Sequence, residues 1–470
     1  MGPEMKGEKG KVAATDRIKK MEKDRDLTKG EIKKVLFKMA LPIVLGMLLH
    51  TAFNLIDTFF VAMLGSDQLA AISVTFPVVF VFISIAFGLS IGSTALVSQA
   101  VGSRNSKKAS NMAEHSLLIA LVSGVVVAVL GIMFSPPLFS FMGVRGHVLD
   151  MTIEYANLIF IGFMFMFTGF IARGVIQAGG DTATPTRNMA IGIVANIILD
   201  PLFIFGFGPI PSMGLFGAAL ATVLGRGLIA FLNLYHLLSG SSRIKIRLKA
   251  FKLDYTAFLR ILKIGLPSSL SQATNSVGLI LLMSMVGNFG TAAIAAFGVG
   301  MRLETLVILP IVALSSAFIP FVGQNLGAGK IGRVKEGLKL CSYAVVIFLL
   351  LFSLIMFFLP HYIYSPFSSD SEVIRIGSDY LRFVAFGYVF LGLHFIFGAA
   401  FQAAGKTIMQ LWLSLVRWAF TIALAYFLIM SMGLNGVWLS LPLGNFLTLI
   451  LSATVLKSGY WLRGWVEAEP

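Results

Sequence analysis

The chain has 470 residues, 57% of them hydrophobic and only 13% charged, with a mean hydropathy of +0.87 and a formal net charge of +15. A soluble fold cannot hide that much apolar surface, and the long unbroken apolar runs exclude the alternating strands of a transmembrane barrel. The positive charge gathers between the apolar runs, as in "SRNSKK" and "SSRIKIRLKAFK", which speaks of membrane topology and not of nucleic acid.

In chain order, a charged N-terminal tail over 1–35 leads to an apolar run at 38–64 that is too long for a signal-peptide core and reads as a retained helix. Asp57 lies near its middle, three residues after Asn54 and therefore on the same helix face. An intramembrane carboxylate costs about 2.5–3.5 kcal/mol on insertion scales, so Asp57 is a functional-site candidate. Runs at 71–98, 116–140, 152–175, 187–207 and 214–238 complete a first bundle over 36–238. The fourth run holds Met164 and Met166 in the stretch "GFMFMFTGF", a composition suited to an adaptable apolar cavity or to packing. The fifth repeats the pattern of an Asn shortly before an Asp, as Asn196 and Asp200, and Pro201 follows directly. Proline removes one helical hydrogen bond there and favours a kink, a candidate switch beside a titrating group.

A basic linker at 239–258 separates this bundle from a second, over 259–457, with runs at 260–285, 294–323, 339–360, 376–400, 408–430 and 436–457; a tail at 458–470 follows. The chain is thus expected to be an all-α integral membrane protein of twelve spans. Lys and Arg concentrate on the side of the N-terminal tail, which places both termini in the cytoplasm. Arg302 and Glu304 read as members of structural buried ion pairs, each with a separate neighbour because residues two apart do not face one another. Arg226 and Arg417 read as snorkelling toward the membrane face. Gly88 and Gly92, four apart, suit a close helix approach. Cys341, the single cysteine, reads as a small buried hydrophobe. "GAAFQAAGKT" is not a phosphate-binding loop, because the spacing is wrong and no strand precedes it.

An internal repeat organises the chain. Shifted by 225 residues, Leu41-Pro42 falls on Leu266-Pro267, Gly65 on Gly290, Gln99 and Gly102 on Gln324 and Gly327, Tyr155 on Tyr380, and Gln177-Ala178 on Gln402-Ala403. Beyond a short insertion, Gly214, Gly217 and Gly225 meet Gly433, Gly436 and Gly444 at a shift of 219. Six spans in each half make the repeat parallel, about an axis along the membrane normal, an arrangement suited to two bundles rocking around a central cavity. Asp57 and Asp200 fall on Leu282 and Ala425. Symmetric packing therefore does not require the two carboxylates, and their chemistry is expected to be confined to the first bundle.

"NLIDTFFVAMLG", "SQAVGSRNSKKA", "IQAGGDTATP", "NIILDPLFIFGFG" and "GAALATVLG", with the early Leu-Pro of each half, resemble the multidrug and toxic compound extrusion (MATE) family of antiporters, in its prokaryotic DNA-damage-inducible protein F-like branch. The resemblance implies a cation or proton site at Asp57, Asn196, Asp200 and Thr222; Asn54 joins the candidates because it shares the helix face of Asp57. The resemblance also implies a cavity residue at Tyr155. His50 and Phe53 stand where some relatives carry Gln and Tyr, and these two, with Met164 and Met166, are further cavity candidates. Two convergent carboxylates with amide and hydroxyl oxygens suit sodium, a hard cation; equally, they suit one shared proton.

The expected function is secondary antiport: export of amphipathic, cationic or aromatic compounds in exchange for H+ or Na+, by a monomer in the prokaryotic inner membrane, with no cofactor and no nucleic-acid partner. A lipid-linked precursor flippase of the same superfamily would favour an Arg- and Lys-rich cavity instead. An integral membrane enzyme would need a His, Cys or acid cluster at a membrane face, and the sequence offers none.

Overall fold

The computed structural model describes residues 25–246 and 251–465; the start of the N-terminal tail, linker residues 247–250 and the last five residues lie outside the described residues. Twelve helices among them are long and apolar enough to cross a membrane. They are α1 (Ile32–Ala62), α2 (Ser66–Gly102), α3 (Ser106–Phe141), α4 (Gly146–Ala178), α5 (Ala183–Phe205), α6 (Gly214–Leu238), α7 (Tyr255–Gly287), α8 (Thr291–Gly327), α9 (Ile331–Phe358), α10 (Ser371–Ala403), α11 (Thr407–Met432) and α12 (Leu434–Lys457). A one-turn helix at Pro360–Tyr364 precedes α10. Most helices outrun the apolar segments that announce them; α1 begins at Ile32 and not at 38. Backbone hydrogen bonding carries each helix past its apolar portion into a polar zone that hydropathy does not register. The repeat governs the turns as well: Gly65 and Gly290 precede α2 and α8 at φ 133° and 94°, conformations that L side chains rarely adopt.

The two halves form two lobes. The first helix of each half lies on the second helix of the other, α1 on α8 and α7 on α2, while α2 and α8 also touch each other. The contacts that join the lobes fall in the helix halves nearest the N-terminal tail, here termed the tail side. At Gly88 and Gly92 on α2, an added Cβ would sit 2.2 Å from the Ser269 nitrogen and 2.8 Å from the Gly265 nitrogen of α7. The close approach expected of this glycine pair is therefore made, and it joins the two lobes.

The tightest contacts obey the repeat. A Cβ on Gly102 would lie 2.0 Å from the Gln324 carbonyl oxygen, and one on Gly327 would lie 2.0 Å from the Gln99 carbonyl oxygen. Gln99 Nε2 donates to the Ala403 carbonyl at 2.7 Å, and Gln324 Nε2 donates to the Ala178 carbonyl at 2.7 Å. Each pair is one interaction made twice. The repeated Gln99/Gln324, Gly102/Gly327 and Ala178/Ala403 positions are accordingly the residues that close the lobes together.

A strap formed by residues 25–31 crosses this closure. Arg25 pairs with Asp181 of the first lobe, and its carbonyl accepts from Arg243 at 3.0 Å. The Leu27 N–H donates to Gln324 Oε1 at 3.2 Å, Lys330 Nζ donates to the Thr28 carbonyl at 2.8 Å, and Arg333 donates to the Gly30 carbonyl at 3.0 Å. Part of what reads as a tail is thus structural. Leu27 and the buried face of α1 (Ile32, Leu36, Met39, Ile43) belong to the apolar core that fills the second lobe. Cys341 is buried in the same core.

Candidate functional site: a central cavity and an acidic pocket

A cavity of about 750 Å³ lies between the lobes, within the range usual for small-molecule sites. From the first lobe, α1 supplies His50 and Phe53, α4 supplies Met166, Phe170 and Arg173, α5 supplies Asn196, and α6 supplies Thr222 and Arg226. From the second, α7 supplies Gln272 and Asn275, α8 supplies Phe297 and Glu304, α10 supplies Tyr380 and His394, and α11 supplies Arg417 and Trp418. The lobe-joining contacts seal it on the tail side.

The acidic pocket is set into the first lobe's wall, where α1 packs on α5 and α5 on α6. Gly225 makes this possible: a Cβ there would lie 3.0 Å from that of Asn196, so α6 can press against α5, one turn from Thr222. Asn196 and Thr222 face the cavity, whereas Asp200, one turn beyond Asn196, is fully buried behind it. Asp57 is partly buried on α1, with its Oδ1 shielded from solvent. Both carboxylate oxygens of Asp200, Oδ1 of Asp57 and both amide atoms of Asn196 find no well-formed hydrogen bond among the described residues, although the Asn196 side chain lies near enough to act on the Asp200 carboxyl. Buried polar atoms are ordinarily satisfied, so this concentration of free oxygens marks a place built to take a proton or a cation. Asp57 and Asp200 act on one another electrostatically, Tyr155 feels both, and Arg226 acts on Asp57 and Tyr155.

Several placements differ from expectation. Asn54 shares a helix with Asp57 but is exposed, with its amide 3.3 Å from Nδ1 of His50, and it is not among the groups of the acidic pocket. Tyr155 does not line the central cavity; it borders a separate hollow of about 180 Å³ with Gln68, Glu154 and Met213. Met164 packs on α3, where a Cβ on Gly124 would meet its Cα at 2.7 Å; of the two methionines only Met166 reaches the cavity. Arg302 is exposed, Glu304 faces the cavity and accepts from the Tyr380 hydroxyl at 3.1 Å, and among the described residues neither makes the separate buried ion pair expected of it. The second lobe therefore contributes an acid after all.

Arg226 and Arg417 do not snorkel. Arg226 lies at mid-helix on the cavity wall, with Nη1 3.8 Å from the Met166 sulfur. Arg417 is held in the cavity by Asn275 at 2.5 Å and Asn445 at 3.2 Å, with its guanidinium 4.8 Å above the Trp418 ring. Arg173, which sequence reasoning missed, completes the set. A signal was available, since it is a charge inside an apolar run whose counterpart under the repeat is Gly398.

Pro201 lies inside α5 and leaves the Ile197 carbonyl without its helical donor. The helix ends soon after, where the Phe203 carbonyl accepts from Met213 N–H at 2.9 Å and the Ile204 carbonyl from the Ser212 hydroxyl at 2.8 Å. The segment beyond the proline is thus tied to the turn into α6 as well as to its own helix.

Twelve spans in two lobes around a central cavity, with buried carboxyls in one wall, define a polytopic membrane transporter. The MatE family profile matches residues 42–202 and again 267–427, the two copies standing at the repeat's own offset. The chain belongs to the MatE family, whose members are transporters and not enzymes. It is 33% identical over 429 residues to the FAD transporter of Shewanella oneidensis, covering 90% of this chain and 94% of that one. To the multidrug export protein MepA of Staphylococcus aureus it is 24% identical over 436 residues, covering 93% and 95%. Among solved structures it is similar to a MOP superfamily transporter from Pyrococcus furiosus, described as having a binding pocket of reversed polarity, with a TM-score of 0.86, 28% identity and coverage of 94% and 98%. An outward-facing multidrug resistance MATE transporter gives a TM-score of 0.85 at 27% identity, covering 93% and 98%.

Proposed function

We propose that this chain is a secondary active exporter that moves an amphipathic aromatic solute out through the central cavity while H+ or Na+ enters by way of Asp57, Asp200, Asn196 and Thr222. The observation that carries this reading is the set of unpartnered carboxylate and amide atoms in the first lobe's wall, one helix turn from the cavity. Two carboxyls, an amide and a hydroxyl offer oxygens for a monovalent cation, and the same two carboxyls can hold a proton between them. Among the described residues there is no cluster of three His, Cys, Asp or Glu for a heavier metal. The tail side faces the cytoplasm of a prokaryotic cell, with the protein a monomer in the inner membrane, so the cavity opens outward. One inward charge supplies about 2.3 kcal/mol per 100 mV.

The relatives' names, an FAD transporter and a multidrug exporter, differ in the solute they imply. The cationic solute expected from sequence is not carried forward, because three arginines and one glutamate line the cavity. Those arginines also favour the rival reading, a lipid-linked precursor flippase, which gives the acidic pocket no role. The deciding experiment is reconstitution in proteoliposomes with pH and sodium gradients imposed separately. Uptake that responds to neither gradient would refute the exchange.

Pro201 gives this reading a mobile part. Pro201→Ala restores the missing donor and removes the proline's clash with the preceding turn. A ligand moves a two-state equilibrium only through its differential affinity for the two states. Solute affinity measured with and without sodium, and at low and high pH, should therefore change its ion dependence in Pro201→Ala, while thermal stability changes little. Unchanged ion dependence in a well-folded variant would assign the proline to packing.

A further inference from the structure

We infer that the solute is an anion, a phosphate-bearing aromatic compound of the nucleotide kind, held between Arg173 and Arg226 of the first lobe and Arg417 of the second. This rests on the central cavity being the transport site. All three guanidiniums line that cavity, and among the described residues none makes a salt bridge. Arg173 makes no hydrogen bond to any described group, and Arg226 has only the distant Met166 sulfur. Arg417 is positioned by the Asn275 and Asn445 side-chain carbonyls and by Trp418, yet its Nε is buried without a partner. Asn275 also accepts from the Trp418 indole at 3.0 Å, so ring and guanidinium are fixed as one unit.

Charges inside a membrane protein are costly unless paired or in use, and here three of one sign line a single cavity without a salt bridge among the described residues. The fold does not demand them. Under the repeat, Arg173 falls on Gly398, Arg226 on Asn445 and Arg417 on Gly192; all three counterparts line the same cavity and none is charged. The opposing charge on the cavity wall is Glu304, which accepts from the Tyr380 hydroxyl and acts on Arg417 without a salt bridge, while Asp57 acts on Arg226 from outside the lining. A cationic solute would meet three repulsive groups and one attractive one. An anion meets the reverse, and guanidinium forks match phosphate oxygens bidentately. Phe53, Phe165, Phe170, Phe297 and Trp418 supply apolar faces for a flat ring beside these forks. With the arginines on both lobes, one solute bridges them and is shared across the gap that transport must open and close.

The test is equilibrium binding of flavin mononucleotide to the purified full-length protein, read by its fluorescence. Riboflavin, the same ring without phosphate, and ethidium, a cationic aromatic, serve as comparisons. The expected result is binding of flavin mononucleotide at least ~10-fold tighter than either, the gain for about one charge-assisted contact. Arg173→Gln should erase most of that preference while leaving riboflavin binding as it was. Arg173 has no protein partner to lose, so this variant keeps the test sound if Arg417→Gln fails to fold. Glu304→Gln still accepts from Tyr380 and should tighten flavin mononucleotide binding. Equal affinity for the two flavins, tighter binding of ethidium, or an Arg173→Gln variant that binds like wild type would overturn the proposal. So would preferential binding of farnesyl pyrophosphate, which would point to a lipid-linked pyrophosphate. Ion-driven efflux of ethidium without flavin mononucleotide binding would overturn this inference and leave the exchange reading standing. Arginine-dependent binding without any ion-driven movement would do the opposite.

Discussion

Asp57→Asn and Asp200→Asn should each yield a folded protein that still binds solute but no longer accumulates it against a gradient. At 100 mV, one coupled charge sustains an accumulation of about 40- to 50-fold, and an uncoupled variant should fall to about onefold. Folding should survive because the substitution nearly preserves volume and removes a charge from a site where it is costly. Asp200 is the cleaner case, since neither of its oxygens has a well-formed hydrogen bond among the described residues to lose. An amide retains one oxygen that can coordinate sodium weakly, but it cannot take up and release a proton near neutral pH. The pair therefore also separates the coupling ions: residual sodium-driven transport with no proton-driven transport identifies sodium. Wild-type accumulation in either purified variant would remove that carboxyl from the mechanism.

A comparable loss is expected at a site with no titratable group. In Gly102→Val or Gly327→Val, the new Cβ would lie 2.0 Å from a backbone carbonyl of the opposite lobe, where real Cβ atoms essentially never approach within 3.0 Å. A helix carbonyl cannot swing aside alone, so the lobes must part on the tail side. Overpacking of this sort costs about 1–3 kcal/mol. At the upper end that is about 100-fold in the balance between two states, enough to empty the sealed one. In a Cys341→Ser background, Ser98→Cys, buried at the closure, should label slowly from the tail side and much faster when either valine is added. The two valines should act alike because the contacts are repeats of each other. Gly298→Ala is the control, since nothing lies within 4 Å of its added carbon. Slow labelling in both valine variants would show that the seal does not depend on these contacts.

The spans and the repeat were legible because both are written along the chain. Apolar length defines a membrane helix whatever surrounds it, and an offset of 225 needs only matching letters. That Asn196 and Asp200 share a helix face was legible from their four-residue spacing, though not that Asp200 is buried behind while Asn196 lines the cavity. The rotation of each helix about its own axis was harder to read. Met164 and Met166 belong to the same stretch, yet one packs on α3 and the other faces the cavity. Arg226 and Arg417 could be taken as snorkelling only while the space between the lobes was unknown; a polar cavity at mid-membrane gives a guanidinium somewhere closer to go. That Arg302 and Glu304 face different ways followed from their spacing, but that one turns outward and the other toward the cavity did not. The strap over the closure depends on backbone carbonyls as acceptors, and residue identity does not reveal those.

The reciprocal bonds Gln99 to Ala403 and Gln324 to Ala178 have a further consequence. Each half presents a donor and an acceptor that fit a copy of itself turned half a revolution about the membrane normal, which is the definition of an isologous interface. A half-length chain bearing only the repeated residues would satisfy these contacts as a parallel homodimer. Fusing two such halves frees each to diverge. The groups to which coupling and solute binding are assigned as proposals (the carboxyls in one half, Arg417 and Glu304 in the other) lie at positions where the copies no longer agree.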